Sequence, residues 1–195
     1  MSLWDESKEF IAYRNEAANS FGGERRVMYS VKIHIIGCSG SGKTYLAKRL
    51  SEKYNIPRFD LDDIQWDDTT GGYGVKMPID KRNALLEEIL KNESWIIEGV
   101  YYAWVGQGFK DADIIYLLDM PEFLYKWRII LRFIKRKVGI EKGKKETLKS
   151  FVTLLKWTDT FQNKNLKEIK KILENYEEKV VLLSNKRDVS KIINK

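Results

Sequence analysis

Apolar residues in this chain fall into short unbroken runs separated by longer stretches with helical spacing. The first 29 residues are mainly polar and close on the loop-like string FGGERR. From Met28 the pattern changes. VKIHIIG reads as a strand ending at Gly37, and SGKTYLAKRLSEKYN reads as a helix with Leu46, Leu50 and Tyr54 on one face. The pattern then predicts a short strand near 57–60, an acidic and glycine-rich connection to about 79, and a helix over 80–91. Strands follow at 94–98 and 113–118, with a long basic helix over 121–138 and a break at GIEKGKKE. Helices over about 146–160 and 164–177, a strand at 179–184 and a short last helix capped by Asp188 complete the chain. The strands are continuous apolar runs without two-residue alternation, as expected where helices cover both faces of a sheet. The expectation is a three-layer α/β domain on a parallel five-stranded sheet spanning residues 28–195. Residues 1–27 form an N-terminal extension with two readings: an undocked segment upstream of a domain starting at Met28, or an Asp5–Ala18 helix docked through Trp4, Phe10 and Tyr13.

Composition narrows the class. The 195 residues are 43% apolar and 32% charged, the mixture of an ordinary globular domain. No run of 18 or more apolar residues is present to span a bilayer, so no membrane partner is expected. MSLWDESKEF has acids where a secretion signal carries basic residues, which points to the cytoplasm. A single cysteine, Cys38, excludes an internal disulfide, and with one histidine, His34, the chain lacks the ligands of a structural zinc site. The net charge of +7 is concentrated. Residues 126–149 hold ten basic side chains against Glu141 and Glu146, leaving the rest near neutral, while Asp60, Asp62, Asp63, Asp67 and Asp68 form an acidic counterpart. One basic hairpin and one acidic segment suit a site that handles polyphosphate and metal together.

Gly37-Cys38-Ser39-Gly40-Ser41-Gly42-Lys43-Thr44 matches G-x-x-x-x-G-K-[ST] between a predicted strand and a predicted helix. Such glycines let successive N–H groups turn inward around a β-phosphate at a helix N-terminus. Gly37, Gly40, Ser41, Gly42, Lys43, Thr44 and Tyr45 are therefore the candidate nucleotide-binding set, with Lys43 reaching the β- and γ-phosphates and Thr44 ligating Mg²⁺. Cys38 inside the loop is read as a small filler, with a redox-sensitive thiol as the other reading. His34, in mid-strand, is read as structural.

Asp68-Thr69-Thr70-Gly71 fits D-x-x-G and Asn185-Lys186-Arg187-Asp188 fits N-K-x-D, as in a GTPase. However, the first string does not follow an apolar strand, more than a hundred residues separate the two, and only seven follow Asp188. The better match comes from WIIEG, ending in Glu98 and Gly99, and from the helix LLDMPEFLYKWRIILRFIKRK with Arg128, Arg132 and Arg136. Spacing of four puts these guanidiniums on one stripe, and Trp127, Ile129, Leu131 and Phe133 between them suggest that the other side is packed. These features resemble the small-molecule kinases of the adenylate-kinase-like group. The strings KIHIIG-GSGKT, DLDDIQW, WIIEGVYYAW and RFIKRKVGIEKGKKETL are similar to the adenylate-kinase-related proteins labelled topology modulation proteins in bacteria, over roughly residues 31–190. The chain departs from adenylate kinases at Cys38-Ser39 and at DLDDIQW, which is closer to the acidic strand end of shikimate kinases.

The resemblance implies a P-loop nucleoside- or nucleotide-kinase-like fold with a lid over about 126–149, and an ATP–Mg²⁺-dependent transfer to a small acceptor: a nucleoside, a nucleotide or a related hydroxyl-bearing metabolite. Lys43, Arg132 and Arg136 would stabilise the moving phosphoryl group, and Arg128 and Asn185 would contact the nucleotide. Thr44, Glu98 and Asp60 would hold Mg²⁺. Asp60, Asp62, Asp63, Trp66, Gly99, Tyr101 and Tyr102 would form the acceptor site with Trp104, and Asp62 or Asp63 would bind the acceptor hydroxyl and take its proton. The rival reading, a nucleotide-regulated DNA-binding protein using the 126–149 hairpin, accounts for the arginines but not for the acids. The sequence leaves the acceptor and the oligomeric state undetermined.

Overall fold

The computed structural model describes residues 30–67, 74–140 and 147–194. The readings of residues 1–29, the Asp68–Gly71 string and the hairpin residues Glu141, Lys142, Lys144, Lys145 and Glu146 lie outside the described residues. Five parallel strands, β1 (Lys32–Gly37), β2 (Arg58–Asp60), β3 (Trp95–Gly99), β4 (Ile114–Leu118) and β5 (Val180–Leu183), form one sheet in the order β2-β3-β1-β4-β5. β3 and β4 flank β1, so the chain crosses from one side of β1 to the other after β3. That is the switch point outside whose strand ends α/β proteins bind ligands. Strands β3 and β4 are buried at every position, which explains their unalternating apolar sequences.

The predicted helices appear as α1 (Lys43–Tyr54), α3 (Ile79–Leu90), α5 (Glu122–Lys137), α6 (Leu148–Thr160), α7 (Leu166–Leu173) and α8 (Lys186–Asn194). Two more elements interrupt segments read as connections: α2 (Leu61–Gln65) and α4 (Gly106–Asp111). α4 carries two glycines in six residues, a composition that argues against a helix. Gly108 is required there because a Cβ would come within 3.1 Å of the buried His34 ring. The helix expected over 164–177 is divided. A π-turn at Phe161–Asn165 leads into α7, and a 3₁₀ segment at Glu174–Lys179 breaks at Tyr176.

The cap of α8 also differs from expectation. Asp188 lies inside the helix; Asn185 Oδ1 accepts from the Asp188 N–H at 3.0 Å, and the Asp188 carboxylate accepts from Ser184 N–H and Asn185 Nδ2. This reciprocal pairing makes Asn185 the capping residue. His34 is structural, as read: it is fully buried, its ring lies 4.5 Å from Phe109, and burial drives its pKa down to about 3. An interaction with the Gly108 backbone opposes this fall without reversing it.

Candidate functional site

The 37–44 loop leaves the carboxyl end of central β1 and runs into α1. Its glycines meet specific needs. A Cβ on Gly37 would lie 2.9 Å from the Leu118 carbonyl oxygen; Gly40 and Gly42 have φ of +79° and +102°, which only glycine adopts readily. Ser41 N–H donates to Cys38 O at 3.1 Å and closes the turn. Gly42 caps α1 without a side chain, so no side chain of the cap satisfies the first-turn N–H groups that suit an anion. Ser41 Oγ is buried with no hydrogen-bond partner in the protein, against the position a Gly37 side chain would take. An orphaned hydroxyl inside a glycine loop fits a phosphate oxygen. The Cys38 thiol, fully buried and pushed up to about 12 mainly by that burial, is a packing group and not a reactive thiolate.

Beside the loop, Thr44 Oγ1 donates to Glu98 Oε2 at 2.9 Å, and Arg58 Nη1 holds Glu98 Oε1 at 3.1 Å. Because Thr44 spends its proton on Glu98, its lone pairs stay available to a cation. Glu98 is 0% exposed, and Arg58 33%. Burial raises the pKa of Glu98, opposed by the positive charge of Lys43, while the charge of Asp60 adds to the rise. Asp60 faces Glu98 across the β2–β3 register; its pKa is raised by burial and by its acidic neighbours, again against Lys43. Lys43, Thr44, Glu98 and Asp60 therefore converge on one spot, with Glu98 standing behind Thr44. With both Glu98 oxygens taken by Thr44 and Arg58, the Thr44 hydroxyl and the Asp60 carboxylate form an incomplete cage, which suits Mg²⁺, an ion that keeps waters and phosphate oxygens as ligands.

The acceptor candidates occupy the next layer. Asp60 Oδ1 accepts from Asp62 N–H at 2.9 Å and so caps α2. Tyr101 donates its hydroxyl to Asp62 Oδ1 at 2.6 Å and receives a hydrogen bond from Trp66; burial, then the charge of Asp62, raises its pKa. The Tyr101 ring packs 5.3 Å from Trp104, whose face carries the Arg82 guanidinium at 4.4 Å. Gly99 is a packing position: a Cβ there would strike Leu61 Cδ1 at 2.8 Å, so it seats α2 against β3. Asp63 is exposed. Tyr102, expected in the acceptor site, donates instead to Glu168 on α7 at 2.6 Å; of the nucleotide-binding candidates, Tyr45 is exposed on α1 and Asn185 caps α8.

α5 lies across the loop. Its Tyr125 hydroxyl, buried, accepts from Met120 N–H at 2.7 Å and donates to Leu118 O at 3.3 Å. Arg128 Nη1 donates to Gly40 O at 3.0 Å and to Ser41 O at 2.6 Å. Arg132 and Arg136 follow at one-turn intervals, both half-buried. Ile129 is buried and Phe133 stacks on Phe151 of α6 at 4.3 Å, but Trp127 is exposed, contrary to the expectation that it packs. Sequence reasoning missed Arg58 and Arg82. Arg58 carried a usable signal, since two-residue spacing puts it on the same face of β2 as Asp60.

No model of a known protein family matches the chain. The protein YqaC of Bacillus subtilis (strain 168), described as uncharacterized, is 32% identical over 136 residues, covering 67% of this chain and 72% of that protein. The chain belongs to the YqaC family. More distant is the adenylate kinase of Buchnera aphidicola subsp. Schizaphis graminum (strain Sg), 25% identical over 190 residues, with 79% of this chain and 84% of that enzyme covered. Among solved structures, a gluconokinase from Sinorhizobium meliloti 1021 has a TM-score of 0.50 at 14% identity, covering 85% of this chain and 89% of its own. A shikimate kinase from Bacteroides thetaiotaomicron has a TM-score of 0.51 at 16% identity, covering 84% and 94%. The fold of this YqaC-family chain is thus the parallel-sheet P-loop kinase fold. Among the described residues, no helix is long and apolar enough to cross a membrane.

Proposed function

We propose that this protein is an ATP–Mg²⁺-dependent phosphotransferase acting on the hydroxyl of a small metabolite: a nucleoside, a nucleotide or a related compound. The observation that carries the reading is the convergence of Lys43, Thr44, Glu98 and Asp60 at the loop beside the Asp62–Tyr101 pair. A cation site and a hydroxyl-binding carboxylate adjoin a phosphate cradle, as transfer between two bound molecules requires. The similarity to an adenylate kinase and the fold shared with gluconokinase and shikimate kinase support it.

The loop amides and Ser41 Oγ would bind the ATP polyphosphate, with Lys43 on its terminal oxygens. Thr44 and Asp60 would hold Mg²⁺, with Glu98 fixing Thr44 and Arg58 fixing Glu98. Bound there, Mg²⁺ neutralises charge on the phosphate oxygens. Asp62, oriented by Tyr101, would accept the proton of the acceptor hydroxyl as its oxygen bonds to the γ-phosphorus and the bond to the β-phosphate oxygen breaks, releasing ADP. Arg132 and Arg136 would meet the charge developing on the transferring group. In this cytoplasmic enzyme the 185–189 segment after β5 would lie nearest the nucleotide base, and the acidic α2 segment nearest the acceptor.

ADP release measured against nucleosides, nucleotides, shikimate-like acids and sugar alcohols tests this. Slow basal turnover that rises with one acceptor class and vanishes in Lys43→Ala is expected. Turnover stimulated only by DNA would overturn the reading in favour of a nucleotide-regulated DNA-binding protein.

A further inference from the structure

Arg128 occupies a position that a nucleotide-contacting lid arginine does not need. Its guanidinium is turned onto the backbone of the phosphate loop, where Nη1 reaches the carbonyl oxygens of both Gly40 and Ser41. The same group lies 3.1 Å from the point where a Gly42 side chain would begin. The helix behind it is equally close: a Cβ on Gly40 would meet the Tyr125 carbonyl oxygen at 2.8 Å and Ile129 Cγ1 at 3.3 Å. α5 is itself fixed to the sheet by the buried Tyr125 hydroxyl between Met120 N–H and Leu118 O.

We infer that Arg128 is a positioning residue that holds the phosphate loop in its binding shape and ties it to the arginine helix, without itself contacting the nucleotide. This rests on the reading of the loop as a polyphosphate site. A peptide group is planar, with its carbonyl and N–H pointing in opposite directions. Holding the Ser41 carbonyl against α5 therefore turns the Gly42 N–H away from α5, toward the concave side of the loop. A charged donor to two successive carbonyls is among the stronger hydrogen bonds a protein makes, and here it holds the two peptide groups that join Gly40, Ser41 and Gly42, a stretch whose two glycines have positive φ. The same anchor sets the register of α5, so that Arg132 and Arg136 follow one and two turns beyond the loop.

Binding of ATP and of inorganic tripolyphosphate, each with Mg²⁺, distinguishes the roles. Measurements are made by calorimetry on the full chain, well below the unfolding midpoint, for wild type, Arg128→Met and Arg128→Lys. A loop-positioning role predicts that Arg128→Met weakens both ligands by the same factor, on the order of tenfold, because both use the same amides. It predicts partial rescue by Arg128→Lys, which restores one donor to the carbonyls. Weakening of ATP alone, with tripolyphosphate unchanged, would mean that Arg128 touches the base or ribose and would overturn the inference. So would equal affinity of Arg128→Met and wild type for both ligands. If wild type binds neither ligand, the polyphosphate reading itself fails, and the inference fails with it. Thermal unfolding of each variant confirms that affinities are compared between folded proteins.

Discussion

The single histidine gives the fold a measurable acid sensitivity. His34 sits in the central strand, fully buried against Phe109 and Gly108, and burial lowers its pKa from 6.5 to about 3. Below pH 6.5 the unfolded chain takes up a proton at this site and the folded chain does not, so folding stability is full above that pH and falls as pH drops toward 3. The linkage relation gives a loss of about 2 kcal/mol between pH 7 and pH 5, and about 3 kcal/mol by pH 4. Asp60 and Glu98, whose pKa values burial raises, act in the opposite direction because the folded state takes their protons more readily. Their contribution is common to wild type and to a variant that changes only position 34. Urea unfolding of wild type and His34→Val at pH 7 and pH 5 isolates the histidine. The variant should lose about 2 kcal/mol less than wild type between those pH values, whatever its own stability at pH 7. Parallel losses in the two proteins would refute the assignment of a neutral, unprotonated His34 to the core.

Three further outcomes follow from the site. Glu98→Ala removes the acceptor of both Thr44 and the partly solvated Arg58 and should lower unfolding free energy by about 3 kcal/mol. Glu98→Gln, which keeps an acceptor for Thr44, should lose about 1 kcal/mol, with Mg²⁺–ATP affinity reduced in both; urea titration and calorimetry check this. Gly99→Ala forces Leu61 away from β3 and should lower stability by about 1–3 kcal/mol, with acceptor affinity falling more than ATP affinity because α2 carries Asp62. Tyr125→Phe strands the Met120 N–H in the core and should lower stability by about 1–3 kcal/mol, read by thermal unfolding.

The fold was legible because the strands other than short β2 are largely apolar runs and the long helices carry a 3.6-residue period. α2 and α4 escaped because neither is long enough to show a period. Gly108 also argued locally against a helix that it serves through its contact with His34. The loop was legible as a motif, since glycines at fixed spacing reflect local backbone demands. Arg58 signalled only its face, through its two-residue spacing from Asp60; its partner Glu98 is 40 residues away in sequence and becomes a neighbour only through strand pairing. Arg128 was found by its helical spacing, but its turn onto the loop carbonyls depends on how α5 is anchored at Tyr125, and its acceptor Gly40 lies 88 residues earlier in the chain. The cap of α8 shows the reverse limit: Asn185 and Asp188 both carry capping chemistry, and only the backbone geometry assigns the roles.

Following the terminal phosphoryl group of γ-labelled ATP, incubated with Mg²⁺ and a pool of small metabolites, tests the central claim most directly. The account predicts that wild type moves label into a small organic phosphate ester, with little inorganic phosphate released, and that Lys43→Ala moves none. Label appearing only as inorganic phosphate, at a rate indifferent to the metabolite pool, would contradict a phosphotransferase.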